Sequence, residues 1–504
     1  MHPARCLLLV LLGPALGLLL VILPSAADTP PPPPYSPGQI CCLLEEGASI
    51  DIVNSRWNTV TLYAEPNEEL YLLYADGVAD LEDLVARMRS DEAIDIVEVN
   101  YVLESPEAVR QMVIGAVGGG WAEYADQALT TRIGLGEAHQ LNTGAGITVA
   151  VLDSGVDPDH EALAGRLADY GFDCVDYDSE PWEEANAVDD DDDGLIDEGF
   201  GHGTMVAGLI ALVAPDATIM PFRVLDDEGR GSLFGITKAM INASSHGAHL
   251  LNMSFGCPQV ILSIQKRLRL TDQHGAIAVA GAGNRNQEDP PYYPASDTLS
   301  YMVTAVDSCD VKADFADYHA DVFLAAPGVA VRSAYPEGEW GIGSGCSFAT
   351  PLVTGEIALL LSHFGPDLPK ADLEARLRWG VVAIDGLDGN ASYAGKLGAG
   401  RILLPLALTE PAAGPEPEPL PRVHVACWPN PSRGAVYLQG DFDGATHRVS
   451  IYDVTGRQVR RLQLPPGHGS FWDGRDRDGR PVAPGQYWLR LGDGSRGPTL
   501  VRLP

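Results

Sequence analysis

Apolar positions recur along this chain with different periods, and the changes of period mark its divisions. In "DLEDLVARM" (80–88), Leu81, Leu84, Val85 and Met88 fall at i, i+3, i+4 and i+7, one face of a helix. "IDIVEVNYVL" (94–103) then reads as a strand, so residues 38–105 form a small α+β domain. From about residue 132 the pattern becomes near-continuous apolar runs: "ITVAVLD" (147–153), "ATIMPFRVLD" (217–226), "AHLLNMSFG" (248–256), "AIAVAGAG" (276–283) and "YMVTAVD" (301–307). Helical stretches such as "LFGITKAMINASSHG" and "ILSIQKRLRLTDQHG" lie between them. Strands this apolar, alternating with helices, predict an α/β domain over 132–408 with a mostly parallel sheet covered by helices on both faces. Past residue 423 the runs shorten to "GAVYLQG", "HRVSIYDVTGRQV" and "GQYWLRLG" between Gly, Asp and Pro turns, which predicts a C-terminal all-β sandwich over 423–504.

Two proline-rich stretches separate these parts. "TPPPPPYSPG" gives an extended spacer over 28–37, and "EPAAGPEPEPLPR" a linker over 409–422. Ahead of the first, Arg5 precedes a long apolar run that ends in "SAA" before Asp28. That is the form of a secretory signal peptide over 1–27, cleaved after Ala27; the run also approaches spanning length, so a retained anchor is the alternative.

Composition narrows the partners. The net charge of −36 argues against nucleic acid, whose phosphates need clustered Lys and Arg, and suits solubility outside the cell. The eight cysteines form no CxxC pair and no metal-ligand spacing. One disulfide is possible, but the spacing does not assign it.

Open parallel sheets place their chemistry at the carboxyl ends of the strands. Asp153 ends the first strand in "VAVLDSGVD", and His202 opens a helix in "GHGTMVAGLIAL". Asn284 follows another strand in "VAGAGN", and Ser347 stands at the entrance of the apolar helix that begins "GCSFATPLVTG". Singly these are a strand-end turn, a helix start, a turn amide and an N-cap. Together they supply an orienting acid, a base, an amide donor for an oxyanion and a nucleophile.

"VAVLDSGVDPDH", "GHGTMVAG" and "GCSFATPLVTG", in the order Asp, His, Ser, resemble the three active-site blocks of the subtilisin-like serine proteases, the subtilases. The resemblance covers roughly residues 132–405. It implies a peptidase in which Ser347 attacks the peptide carbonyl, His202 takes its proton and Asp153 orients His202. The Asn284 amide and the Ser347 backbone N–H would hold the oxyanion. It also implies substrate pairing along Ser254, Phe255 and Gly256 on one side and Ala280, Gly281 and Ala282 on the other, with Arg285 and Tyr292 at the rim and floor of the first specificity pocket. Cys346 stands where the family usually has Thr, and Phe348 where it often has Met. Residues 38–105 resemble the family's inhibitory propeptide, which implies a self-processed precursor cut between about residues 103 and 131. The C-terminal block resembles the Ig-like domain of flagellar hook-capping proteins and bacterial sorting modules. That implies a bacterial protein, secreted or at the cell surface, meeting export or surface machinery through 423–504.

An acidic run completes the picture. Residues 173–198 hold thirteen Asp or Glu and no Lys or Arg. Asp189, Asp191 and Asp193 alternate before Gly194, with Asp197 and Glu198 following, which is the opening of a calcium loop. Structural calcium is therefore the expected cofactor, and no organic cofactor is expected. The expected activity is endopeptidase action on protein or peptide substrates through an acyl-enzyme. A surface-binding protein built on a weak or inactive protease domain is the alternative.

Overall fold

A computed structural model describes residues 34–107, 115–190, 194–288 and 292–409. Beyond these it describes 424–428, 436–441, 447–453, 458–464, 470–477, 479–491 and 496–502. The expected signal peptide, most of the first spacer and the linker over 410–422 lie outside the described residues. The chain divides into two compact units, residues 1–410 and 411–504.

The first unit begins with strand β1 (Tyr35–Leu44), helix α1 (Ile50–Trp57), β2 (Val60–Glu65), β3 (Leu70–Tyr74), α2 (Leu81–Met88) and β4 (Ile94–Glu104). The strands pair antiparallel in the order β2-β3-β1-β4. Residues 35–37, assigned from their prolines to the spacer, already belong to β1. The ladder absorbs Pro37 through a register shift between Tyr35 and Ile40. Successive β1 residues face opposite sides of the sheet. Ile40, Cys42 and Leu44 join a small core under α1 and α2, whereas Cys41 and Leu43 join the main core. The adjacent cysteines therefore point apart, and Cys41, Cys42, Cys174, Cys257, Cys309 and Cys346 are free thiols.

The main body is built on a nine-stranded sheet. In chain order its elements are β5 (Thr148–Asp153), β6 (Phe172–Asp173), α3 (His202–Val213), β7 (Thr218–Arg223), β8 (Arg230–Ser232), α4 (Leu233–Ser245) and β9 (Leu250–Met253). There follow α5 (Leu262–Gln273), β10 (Ile277–Gly281), β11 (Ser300–Val306), β12 (Leu324–Pro327), β13 (Val331–Tyr335), β14 (Glu339–Gly343) and α6 (Cys346–Phe364). The short strands β15 (Val381–Val382) and β16 (Arg401–Ile402) complete it. The order is β15-β16-β12-β11-β10-β9-β5-β7-β6. Every pairing is parallel except the β15–β16 edge. The buried helices α3 and α6 are apolar nearly all round because packed elements surround them. The body also starts earlier than residue 132. Tyr124 and Leu129 are part of its core, and the Tyr124 hydroxyl donates to the Gly208 carbonyl (2.6 Å).

The N-terminal sheet docks on this body by capping two of its helices. The Glu98 carboxylate accepts the N–H groups of Leu262 (2.9 Å) and Ser263 (3.0 Å) at the start of α5. Asn100 accepts the Phe234 N–H (2.9 Å) at the start of α4. Both satisfy amides that a helix leaves unpaired and that favour negative charge. Beyond them β4 pairs antiparallel with β8, with Val102, Leu103 and Glu104 opposite Ser232, Gly231 and Arg230.

The second unit holds two antiparallel sheets. Strands Val436–Asp441 and Ser470–Trp472 of one share a core with Val449, Ile451, Tyr487, Leu489 and Leu500 of the other. Among the described residues no helix is long and apolar enough to cross a membrane.

Candidate active site

Asp153 is the last residue of β5 and fully buried. Its Oδ1 takes the Ser154 N–H (2.9 Å) and meets His202 Nδ1 at 2.5 Å. His202 is the first residue of α3, set there by Gly201 in the left-handed region (φ 89°). A Cβ at Gly201 would strike the Tyr335 ring, so glycine is required for both reasons. Gly203 likewise presses on the Gly155 carbonyl, which lets the backbones of the Asp153 turn and the His202 helix touch.

Ser347 is the second residue of α6 and fully buried. Its backbone carbonyl accepts the Ser254 hydroxyl (3.2 Å), which ties the helix start to the end of β9. Asn284 lies just past β10, and its Oδ1 accepts the Cys346 N–H (2.9 Å), which turns the amide –NH2 the other way.

What that –NH2 and the serine meet is a carboxylate absent from the sequence expectations. Glu107, three residues past β4 and 1 % exposed, inserts its side chain between His202, Asn284 and Ser347. Its Oε2 accepts the Ser347 hydroxyl (2.6 Å) and lies 3.2 Å from His202 Nε2. Its Oε1 accepts the Asn284 amide (2.8 Å). Base, nucleophile and amide donor thus converge on one two-oxygen group. Burial works against a charged His202, but Asp153, and after it Glu107, outweigh that and lift the imidazole well above its ordinary range.

The chain before Glu107 lies in a groove as an added strand. Gly256 donates to the Glu104 carbonyl (3.1 Å), Glu104 donates back to the Gly256 carbonyl (3.4 Å), and Ser105 donates to Gly229 (2.8 Å). This is backbone pairing of the kind that binds an extended peptide. Of the expected substrate contacts, Gly256 reaches this strand, and the Ser254 carbonyl reaches the Ser347 hydroxyl (3.3 Å). Phe255, Ala280, Gly281 and Ala282 are buried. Tyr292 does not face solvent. Its ring packs against Gly256 and Gly283 beneath the Arg285 guanidinium (5.0 Å), and its hydroxyl donates to the Glu104 carbonyl (3.2 Å).

Cys346 is no competing nucleophile. Its thiol donates to the Gly283 carbonyl (3.1 Å), and burial pushes its pKa far up.

The expected calcium residues are only partly described, since Asp191 and Asp193 lie outside the described residues. Asp197 accepts the N–H groups of Asn186 (3.2 Å) and Ala187 (2.9 Å), and Asp189 accepts that of Gly194 (3.0 Å). Among the described residues no three His, Cys, Asp or Glu side chains form a group that could hold a metal.

Nothing in the local sequence distinguished Glu107, because its role depends on where β4 delivers the chain. The same holds for Glu183, a half-buried carboxylate bonded to the start of the His202 helix. The one signal for Glu107 was Pro106, which cannot continue a strand ladder.

The chain is similar to known proteins. A model of the subtilase family matches residues 144–393. Thermitase of Thermoactinomyces vulgaris is 33 % identical over 237 residues, which cover 45 % of this chain and 79 % of thermitase. A thermophilic serine proteinase of Bacillus sp. (strain AK1) is 31 % identical over 297 residues, 57 % of this chain and 68 % of the relative. The crystal structure of fervidolysin from Fervidobacterium pennivorans, described as a keratinolytic enzyme related to subtilisin, superposes with a TM-score of 0.62. It is 22 % identical, over 91 % of this chain and 71 % of fervidolysin, and so speaks to the fold alone.

Proposed function

Because the chain belongs to the subtilase family of serine-type endopeptidases, we propose that it is a secreted protease made as a latent precursor, with Asp153, His202 and Ser347 as its triad. The observation that carries this reading is the convergence of Ser347 Oγ, His202 Nε2 and Asn284 Nδ2 on the Glu107 carboxylate. A scissile carbonyl in that position meets the same three groups. Ser347 Oγ attacks the carbonyl carbon as its proton passes to His202 Nε2. Asp153 holds the opposite nitrogen and stabilises the imidazolium. The oxygen that becomes negative is met by the Asn284 amide and the Ser347 N–H. The proton returns from His202 to the leaving amine, and water repeats the sequence on the acyl-enzyme.

Residues 38–105 act in this reading as an inhibitory and folding-assisting propeptide. The support is the capping of α4 and α5 by Asn100 and Glu98 and the antiparallel pairing of β4 with β8. A parallel sheet is slow to assemble, and a docked antiparallel domain braces two helices beside it. Residues 102–105 then occupy the substrate groove, and Glu107 occupies the reaction centre. Arg285 and Tyr292, with Ser254–Gly256 and Ala280–Ala282, border the substrate site. Residues 423–504 serve as an Ig-like sorting or anchoring module toward export or cell-surface machinery.

Calcium fits the acidic loop as a structural ion. Glu228 is 2 % exposed and its Oε2 has no hydrogen-bond partner, while its Oε1 accepts the Asp190 N–H (3.1 Å). Burial, and then Asp197, Asp190 and Glu228, raise the Asp227 pKa. Asp189, Asp191, Asp193, Asp197 and Glu198 would hold the ion only by drawing together around it, since the described ones form no cluster of three, and it would supply charge neutralisation and loop order.

Casein hydrolysis by the processed protein tests the reading. Hydrolysis that a serine-directed phosphonate abolishes and a metal chelator only slows is the expected result. Phosphonate-resistant hydrolysis, or none, overturns it.

A further inference from the structure

Beneath the candidate triad, on the side away from the groove, the strand end that carries Asp153 and the helix start that carries His202 meet a third segment. Residues 181–183 lie against the Asp153 turn through Val156 N–H to the Pro181 carbonyl (3.1 Å) and Glu183 N–H to the Val156 carbonyl (3.1 Å). Gly155 and Gly203 allow the three backbones to touch, since a Cβ on either would strike a neighbouring backbone. Into this junction Glu183 places its carboxylate. Its Oε1 accepts the Ser154 hydroxyl (2.5 Å), the Gly201 N–H (3.0 Å) and the Gly203 N–H (3.1 Å), and its Oε2 accepts the Thr204 hydroxyl.

We propose that Glu183 is a positioning residue for hydrolysis, clamping the start of the His202 helix to the end of the Asp153 strand. The proposal rests on the triad reading above. The clamp is a closed ring of contacts. Glu183 holds the Ser154 hydroxyl, and the Ser154 N–H donates to the Asp153 oxygen that meets His202 Nδ1. The His202 helix returns through Gly201, Gly203 and Thr204 to Glu183. Only an ionised carboxylate accepts four donors at once; an amide turns an N–H toward one or more of them. The positive end of α3 favours the same charge.

The clamp also titrates. Burial raises the Glu183 pKa to about 7 against the hydrogen bonds from Ser154 and Thr204; Asp153 on β5 adds to the rise and His202 on α3 opposes it. Tyr335 on β13 also feels this carboxylate, and it stays neutral, its own pKa raised by burial. Activity requires Glu183 ionised and His202 neutral, so both ionisations raise activity as pH rises. The acid limb of kcat then records two protons rather than one.

The test compares processed wild type with Glu183→Gln and Glu183→Asp, with active sites counted by phosphonate titration so that misfolded molecules drop out. For Glu183→Gln, kcat per titrated site falls about 10- to 100-fold with KM within about twofold, the scale of a small misplacement of a catalytic group. Its acid limb relaxes to a single-proton slope. Glu183→Asp keeps the charge and recovers part of both kcat and the steeper limb. An unchanged kcat per site in Glu183→Gln overturns the proposal. So does a lower melting temperature with the limb unaltered, which leaves Glu183 a purely structural group. A wild type with no titratable serine instead overturns the triad reading itself.

Discussion

Replacing Glu107 by alanine should unlock the precursor without cutting it. The substitution removes one carboxylate that accepts from Ser347 and Asn284 and sits 3.2 Å from His202 Nε2, at a site 1 % exposed. Hydrogen bonds to a charged group contribute about 1.5–3 kcal/mol each. Burying the carboxylate costs several kcal/mol, which offsets much of the sum. A net of about 2–4 kcal/mol remains for the lock, or roughly 30- to 1,000-fold in the fraction of molecules with Ser347 free. The backbone pairing of Val102–Glu104 with β8 does not involve this side chain, so the propeptide stays docked. The assay is the rate at which a small fluorophosphonate labels Ser347 in freshly refolded, full-length chain, read by intact mass before processing begins. Glu107→Ala labels faster by that factor, and Glu107→Gln, which keeps the shape without the charge, falls between. Equal rates in all three would mean that the pairing of residues 102–105 alone causes latency.

Latency should also depend on pH. The His202 pKa is raised with Glu107 present, so the contact is strongest below the ordinary histidine value of 6.5 and weakens as pH rises through the raised one. Precursor activation therefore accelerates toward alkaline pH in wild type, and a flat profile counts against the ion pair. Replacing Asn284 by leucine removes one oxyanion donor and should lower kcat by roughly 100- to 1,000-fold with KM little changed; a matching rise in KM alone would assign Asn284 to binding. Calcium should raise the melting temperature and protect residues 173–198 from nicking, and Asp191→Ala with Asp193→Ala should abolish both effects; identical melting curves leave only a solvated loop. A chain ending at Thr409 should keep full peptidase activity, since the two compact units divide at Glu410; a large loss would make residues 411–504 part of the catalytic unit.

Much of the main body was legible because its strands are buried on both faces. Runs such as "TVAVLD" and "IAVAG" have few other places to go. The four candidate residues were legible because each stands at the end of such an element, beside glycines whose purpose is close approach. The parts that were missed depend on tertiary placement. The segment 121–133 forms only the short helices Trp121–Ala125 and Ala128–Ile133, too brief to show a helical period, yet Tyr124 and Leu129 reach the core. Tyr35–Pro37 reads as spacer until β4 supplies Tyr101 as a partner. Ala280–Ala282 lie in or just beyond β10, where neighbouring strands pair with Ala280 and Gly281. Glu107 and Glu183 sit in stretches where acidic residues are common. Only the folded chain separates the carboxylate on the serine and the one under the histidine from those in water.

Ser347, as the proposed nucleophile, becomes covalently bonded to substrate. The most direct test is the intact mass and peptide map of the processed enzyme after reaction with a fluorophosphonate. A single adduct, on Ser347, is expected together with loss of all casein hydrolysis, and no adduct in His202→Ala. An adduct on another residue, or casein hydrolysis that survives Ser347→Ala, would contradict that role.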